Sequence, residues 1–362
     1  MRRHIQILSA AELLEAPDVY DTLIDARSES EYVHDHIPGA VNHPVLNDRQ
    51  RISIGTLYKQ VDSFTARKHG AQFANLNIAR HLTGWMDHAR DWRPVVYCWR
   101  GGQRSGSLAL VLHEIGWPVR VLSGGYKAYR RYLQQVFPAL IEQFEFRLLT
   151  GPTGSGKTEL LTQMAAHGFQ TIDLEGLAHH RGSLLGGYRT PQPTQKWFES
   201  QLFHQLAAMD PNRPVWLESE SSKIGQLHVP EQLFQCMVSS PALALEASLD
   251  ARSAFLRAIY QDMQEDPDRF RVAIAALQFR QPRQMISQWL EWVDAGQWLR
   301  LSESLLALHY DPAYRRSQHR LHVCDSMPVT PGVLSPELMH RLEQFEHHEH
   351  AITQTSIPAT DH

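Results

Sequence analysis

Apolar residues fall along this chain in two successive series of the same kind. In each, short runs of strand length alternate with longer segments whose apolar positions recur at helical spacing. The first series predicts strands over 4–8, 22–26, 94–98 and 119–122. Helices are predicted over 10–15, from Ser28 with Glu31 at capping-box spacing, over 107–115, and over the basic stretch 127–136. Between 46 and 90 the chain is polar and its scattered apolar residues keep helical spacing. A junction is expected at 137–143, after which the pattern restarts. Strands are predicted over 146–150, 171–173, 215–218 and 242–249, with a helix over 159–166. A helical region follows, then a turn at His309-Tyr310-Asp311-Pro312-Ala313-Tyr314 and a last strand around 321–323. Such alternation implies parallel α/β sheets. The domains are expected at 1–136 and 144–325, with 326–362 a partly disordered tail that is polar from His347 onward.

Composition narrows the class. The chain has 362 residues, 43% hydrophobic and 20% charged, with a formal charge of −4, ordinary for a globular protein of two domains. That charge excludes wholesale coating of nucleic acid but not local patches. From Arg90 to Gln135 eight Lys and Arg face only Asp91 and Glu114, which suits an anionic substrate or a solvated surface. Cys98, Cys236 and Cys324 are few and far apart, so neither a disulfide framework nor a zinc site is suggested. The start lacks the apolar core of a signal peptide, and no apolar run approaches the length of a membrane span. The expectation is a cytoplasmic protein with no membrane partner.

Two stretches carry candidate chemistry. The first is Cys98-Trp99-Arg100-Gly101-Gly102-Gln103-Arg104-Ser105, where a strand ends on a cysteine, turns through paired glycines and enters a helix. Backbone N–H groups converge on such a loop and favour an anion. Arg100 and Arg104 add positive charge, so Cys98 is a candidate nucleophile with both arginines as catalytic partners. Trp99, Gly101, Gly102, Gln103 and Ser105 would complete the anion-binding loop. A buried core cysteine is the plainer alternative.

The second stretch is Gly151-Pro152-Thr153-Gly154-Ser155-Gly156-Lys157-Thr158, a complete phosphate-loop pattern between a strand and a helix. Gly151, Thr153, Gly154, Ser155 and Gly156 are expected to present N–H groups to a phosphate. Lys157 neutralises its charge, and the Thr158 hydroxyl can ligate Mg²⁺. Asp173 and Glu218 both end strands, where a metal- or water-orienting acid is expected. Glu218 is preferred because Ser219 and Glu220 continue it as a polar cluster, whereas Asp173 leads directly into a helix. Arg181 and Ser183 lie in a candidate substrate loop, and the adjacent His179 and His180 are not convincing metal ligands. From Ala251 to Arg320 there are ten arginines against eight acids, either a solvated helical face or an RNA surface. Trp289, Trp292 and Trp298 are expected in the core.

The first domain resembles the rhodaneses. Asp25-Ala26-Arg27, His36-Ile37-Pro38-Gly39-Ala40, the Cys98 loop and Gly124-Gly125-Tyr126 follow in the family's order. Cys98 to Arg104 also fits the Cys-x5-Arg pattern of cysteine phosphatases. The fold this implies is a rhodanese-like parallel-sheet domain followed by a P-loop NTPase-like α/β domain with a helical C-terminal region. With the 151–158 loop and Glu218-Ser219-Glu220-Ser221, the chain over roughly 5–325 resembles the bacterial tRNA 2-selenouridine synthases. That resemblance implies replacement of sulfur by selenium at the wobble 2-thiouridine of tRNA, with selenophosphate as donor. It also implies an S-geranyl-2-thiouridine intermediate made from geranyl diphosphate. Cys98 would attack, or carry selenium as an S-selanyl cysteine, while the phosphate loop takes the prenyl diphosphate with Mg²⁺ at Thr158. The partners implied are tRNA and a selenophosphate-producing enzyme, with no tightly bound cofactor. Three alternatives stay open: a persulfide-carrying sulfurtransferase, a phosphatase dependent on Arg104, and an NTP-dependent RNA-binding or regulatory module that survives loss of Cys98.

Overall fold

The computed structural model describes residues 5–16, 20–183, 185–318 and 321–346. Each α/β series folds around its own five-stranded parallel sheet. In the first, β1 (Gln6–Leu8), β2 (Thr22–Asp25), β3 (Val41–Asn42), β4 (Pro94–Tyr97) and β5 (Arg120–Leu122) lie in the order β1-β5-β4-β2-β3. Every neighbouring pair is parallel. All four residues of β4 are buried, as expected of a central parallel strand covered on both faces. Register sets Tyr97 opposite Asp25, so the Asp25 motif and the Cys98 loop leave the sheet at the same edge.

The polar stretch after Leu46 is a helical hairpin, Asp48–Gln60 and Ser63–Thr83. Asn47 caps its first helix through a reciprocal box with Gln50, and Asp62 caps the second by accepting from the N–H groups of Phe64 and Thr65. The helix predicted to end at 136 runs instead over Gly125–Ile141. Leu133, Phe137 and Ile141 repeat at four-residue spacing on one buried stripe. Phe137 meets Phe203 edge-on, with ring centroids 5.5 Å apart. One hydrophobic core is therefore continuous across both domains, and most of the expected junction is helix.

The second sheet contains β6 (Phe146–Thr150), β7 (Gln170–Ile172) and β8 (Val215–Glu218). After an antiparallel ribbon, β9 (Lys223–Ile224) and β10 (Leu227–His228), come β11 (Pro241–Glu246) and β12 (His322–Pro328). The sheet order is β12-β11-β6-β8-β7. Four expectations are corrected here. The strand predicted to reach Leu249 stops at Glu246, because Ser248 caps the helix Leu249–Ile259 by accepting from the Ala251 N–H. The predicted turn after His309 is helical: a π-helical turn, Leu306–Tyr310, runs into Asp311–Gln318. The last strand covers seven residues and pairs with β11. Beyond it, Pro336–Glu346 is a helix whose Leu338, Leu342 and Phe345 are buried, Phe345 lying 5.6 Å from Trp216. Residues 326–346 thus cover the second sheet rather than forming a tail. The rest of that expected tail, 347–362, and residue 4 of the first predicted strand lie outside the described residues. Trp289 is fully buried, and Trp292 and Trp298 pack against the same core. Among the described residues no helix is long and apolar enough to cross a membrane.

Two candidate anion sites

β4 delivers Cys98 to the start of a glycine turn, and Gly102 caps the helix Gln103–Ile115 that follows. The thiol is 3% exposed. Its Sγ accepts from the Gly102 N–H at 3.3 Å and from the Ser105 hydroxyl at 3.2 Å, donors that favour a sulfur anion. The Gly124-Gly125-Tyr126 turn braces the loop from behind. Tyr126 N donates to the Cys98 carbonyl at 2.8 Å, and Lys127 N to that of Trp99 at 3.0 Å. A side chain at Gly125 would collide with the Cys98 carbonyl, and its φ of +57° lies in the left-handed region. Trp99 stacks on Tyr126, with centroids 5.3 Å apart.

Of the two loop arginines, only Arg104 departs from expectation. Arg100 lies exposed on the loop. Arg104 does not fold over the sulfur: its guanidinium is bonded to Glu31 at 2.6 Å. Glu31 also accepts from the Ser28 backbone and hydroxyl, each at 3.1 Å, so one carboxylate closes a helix cap and anchors Arg104. A phosphatase would need that guanidinium facing the anion, and this pairing removes it.

Residues outside the sequence-level candidates hold the loop. Asp25 and Arg27 form a fully buried ion pair at 2.6 Å, and the Arg27 guanidinium lies 4.0 Å over the Tyr126 ring. The Tyr126 hydroxyl donates to Asp35. Burial pushes the Asp35 carboxyl above its ordinary range, against the hydroxyl of Tyr126 and the charge of Arg130. Arg130 reaches into the second domain, donating to Glu199 at 2.5 Å and to the Ser200 hydroxyl at 3.0 Å. His36 stacks between Tyr32 and Trp197, at 3.7 and 4.1 Å. The rhodanese-like segment is therefore also a domain contact.

The second site lies at the end of β6. The turn through Gly151, Thr153, Gly154, Ser155 and Gly156 opens the helix Lys157–Ala166. Lys157 Nζ crosses back to the Gly151 carbonyl at 3.0 Å. Arg252 holds the turn from outside, donating to the Thr153 carbonyl at 3.1 Å while paired with Asp311 at 2.8 Å through both nitrogens. The Ser155 hydroxyl is buried without a partner among the described residues.

Facing the turn is a cavity of about 930 Å³ lined by Lys157, Thr158, Asp173, Glu175, Arg181, Ser183, Ser219 and Glu220. The preferred acid, Glu218, lies beneath it. One Glu218 oxygen accepts from the Glu175 N–H at 2.7 Å, and the other is buried without a partner among the described residues. Asp173 caps the short helix Leu174–Leu177 by accepting from Gly176 N at 2.7 Å. Glu175, which sequence reading passed over, accepts from the Thr158 hydroxyl at 3.2 Å. Its only sequence signal is a second acid just beyond the Asp173 strand end. Burial, then repulsion from Glu220, pushes Glu175 up to about 9 despite Lys157. Burial and the other three carboxylates push Glu218 well above its ordinary range.

Arg181 is bonded to Asp262 at 2.8 Å and flanked by the rings of Tyr188 and Tyr260, at 4.2 and 4.6 Å. The Ser183 and Tyr260 hydroxyls are 3.0 Å apart. His179 stacks on Tyr188 and bonds Thr190. Among the described residues no three His, Cys, Asp or Glu side chains are arranged to hold a metal. A hydroxyl and one or two carboxylates nonetheless suit Mg²⁺, which completes its shell with phosphate oxygens and water. The orphaned Glu218 oxygen fits such a charge nearby.

Fold and sites define a rhodanese-like domain joined to a P-loop domain. Residues 9–132 match the rhodanese-like domain model and residues 144–288 that of the tRNA 2-selenouridine synthase AAA domain. The chain belongs to the tRNA 2-selenouridine synthase family. It is 34% identical over 325 residues to the tRNA 2-selenouridine synthase of Marinobacter nauticus, covering 81% of this chain and 87% of that protein. Against that of Nitrosomonas europaea it is 36% identical over 245 residues, or 66% of this chain and 63% of the relative. A rhodanese-related protein of Thermoplasma volcanium aligns at 20% identity with a TM-score of 0.23, covering 35% of this chain and 92% of that one.

Proposed function

We propose that this protein replaces sulfur by selenium at the wobble 2-thiouridine of tRNA in two steps divided between its two anion sites. The observation that carries the reading is the pairing, in one member of this family, of a cysteine loop with a phosphate loop whose cavity is half apolar. Phe234, Met237 and Ile259 line that cavity together with Lys157 and the acids. A prenyl diphosphate needs such a division, with N–H groups and Lys157 for its charge and an apolar wall for its chain.

At the phosphate loop the 2-thio sulfur attacks C1 of geranyl diphosphate, and the base N3 gives up its proton to solvent. The C–O bond breaks and its electron pair leaves with pyrophosphate, stabilised by Lys157 and the loop amides. Thr158 and Glu175 would hold Mg²⁺, which supplies further charge neutralisation there. At the rhodanese-like site the Cys98 thiolate attacks C2, and the C–S bond to the geranyl thiolate breaks, releasing geranylthiol after protonation. Selenium of selenophosphate then displaces Cys98 from C2, and water cleaves the P–Se bond to release phosphate. Every step is redox-neutral. Carriage of selenium as S-selanyl cysteine would instead require a two-electron oxidant.

The test is mass spectrometry of nucleosides from 2-thiouridine-containing tRNA incubated with selenophosphate, geranyl diphosphate and Mg²⁺. Wild type should give 2-selenouridine, and Cys98→Ala should stop at the geranylated base. Lys157→Ala should fail on 2-thiouridine yet still selenate tRNA geranylated beforehand. Unmodified tRNA with wild type would overturn the reading, and failure of Lys157→Ala on geranylated tRNA would overturn the division of labour.

A further inference from the structure

The hairpin Asp48–Gln60 and Ser63–Thr83 has no part in either anion site, and its first helix buries no residue at all. Ile52, Tyr58 and Phe64 stand 62%, 61% and 64% exposed. A stable helix that spends apolar and aromatic side chains on solvent presents a face for something else.

Its charge indicates what. Arg49, Arg51, Lys59, Arg67, Lys68 and Arg80 face only Asp48 and Asp62 between residues 48 and 83, in a chain whose formal charge is −4. Both acids are already engaged. Asp48 accepts from the Ser30 hydroxyl and backbone, and Asp62 caps the second helix. Among the described residues only Arg51 of these six cations is in an ion pair, a 3.8 Å contact with Glu31. Lys68 lies 5.0 Å over the Phe64 ring.

The hairpin also adjoins the chemistry. A groove of about 670 Å³ runs between its helices and the helix that leaves the cysteine loop. Tyr58, Arg67, Gln103 and Arg104 line it, the last two only five and six residues beyond Cys98. In the arginine-rich region of the second domain Arg252, Arg269 and Arg271 are held by Asp311, Asp262, and Asp268 with Asp294, while Arg257, Arg280, Arg283 and Arg300 are in no ion pair among the described residues. What sets the hairpin apart is its net charge, six cations against two acids, where residues 251–320 carry ten arginines against eight acids.

Unpaired cations interleaved with exposed aromatic rings suit a single-stranded RNA loop. Its phosphates are held electrostatically and its unstacked bases lie against the rings. We infer that this hairpin is the docking surface for the single-stranded loop of the RNA substrate, the groove leading the target base toward Cys98. The inference rests on the reading above that the substrate is RNA.

The experiment is fluorescence anisotropy on the full chain with an RNA stem-loop bearing 2-thiouridine in its loop, over a series of salt concentrations. Tyr58→Ala with Phe64→Ala should weaken binding about tenfold, the effect of losing base stacking. Lys59→Glu with Lys68→Glu should weaken it comparably and lower the salt slope by about one or more. The pairs alter different exposed side chains, so if one misfolds by circular dichroism the other decides. Arg283→Glu with Arg300→Glu, on the second domain, should bind within twofold of wild type. Wild-type affinity in the folded hairpin variants would overturn the inference while leaving RNA as the substrate. Equal weakening by the second-domain pair would likewise overturn it. Absence of RNA binding by wild type would remove the functional reading itself.

Discussion

Arg130 and Glu199 form an ion pair at 2.5 Å across the boundary between the two domains. The arginine is 8% exposed and the glutamate 25%. Arg130 also neighbours Asp35, which holds the tyrosine whose backbone braces the Cys98 loop. Removing one partner of a buried pair costs about 3–5 kcal/mol. Arg130→Met is therefore expected to lower unfolding stability by about that amount in urea titration. Glu199→Gln should cost less, and the double variant less than the sum of the two, because the pair is coupled.

The Ser105 hydroxyl is one of two donors on the Cys98 sulfur. A hydrogen bond to a charged group contributes about 1.5–3 kcal/mol. Ser105→Ala should slow alkylation of Cys98 by iodoacetamide at pH 7 by about tenfold, followed by mass spectrometry of the modified peptide. Unchanged alkylation would mean that the Gly102 N–H suffices.

Glu175 gives the second domain a signature in pH. Burial and its acidic neighbours raise it from 4.5 to about 9 in the folded chain, so between those values the folded state binds more protons than the unfolded one. Its contribution to stability is present below pH 4.5 and is lost as pH rises toward 9. Glu175→Gln should unfold at higher urea than wild type near pH 8.5 and lose that advantage near pH 4.5. Adding Mg²⁺ with pyrophosphate at pH 7 should release protons, measurable by calorimetry in buffers of different ionisation enthalpy.

The C-terminal helix is expected to be structural. Phe345→Ala removes a buried ring packed on Trp216 and should cost about 3–5 kcal/mol. A change within error would mean that this helix does not close the second sheet.

Much of this protein was legible in its amino-acid order because the deciding interactions are local. Strand runs, capping boxes and glycine turns are fixed by neighbours a few residues apart, and so were the cysteine loop, the phosphate loop and the parallel α/β fold. Asp173 was rightly read as leading into a helix, since its cap bond spans three residues. What required tertiary structure is the choice among partners distant along the chain. Arg104 pairs with Glu31 rather than with the anion loop, across 73 residues. Glu218 sinks beneath the cavity while Glu175 reaches Thr158, because packing of β8 beside β7 sets the depth of each carboxylate. The expected tail includes 326–346, yet three apolar residues on one helical stripe of that segment meet the uncovered face of the second sheet. Periodicity marks which face of an element is apolar. Only assembly of the sheets decides what that face meets, and whether a charged residue at its edge becomes a ligand or a strut.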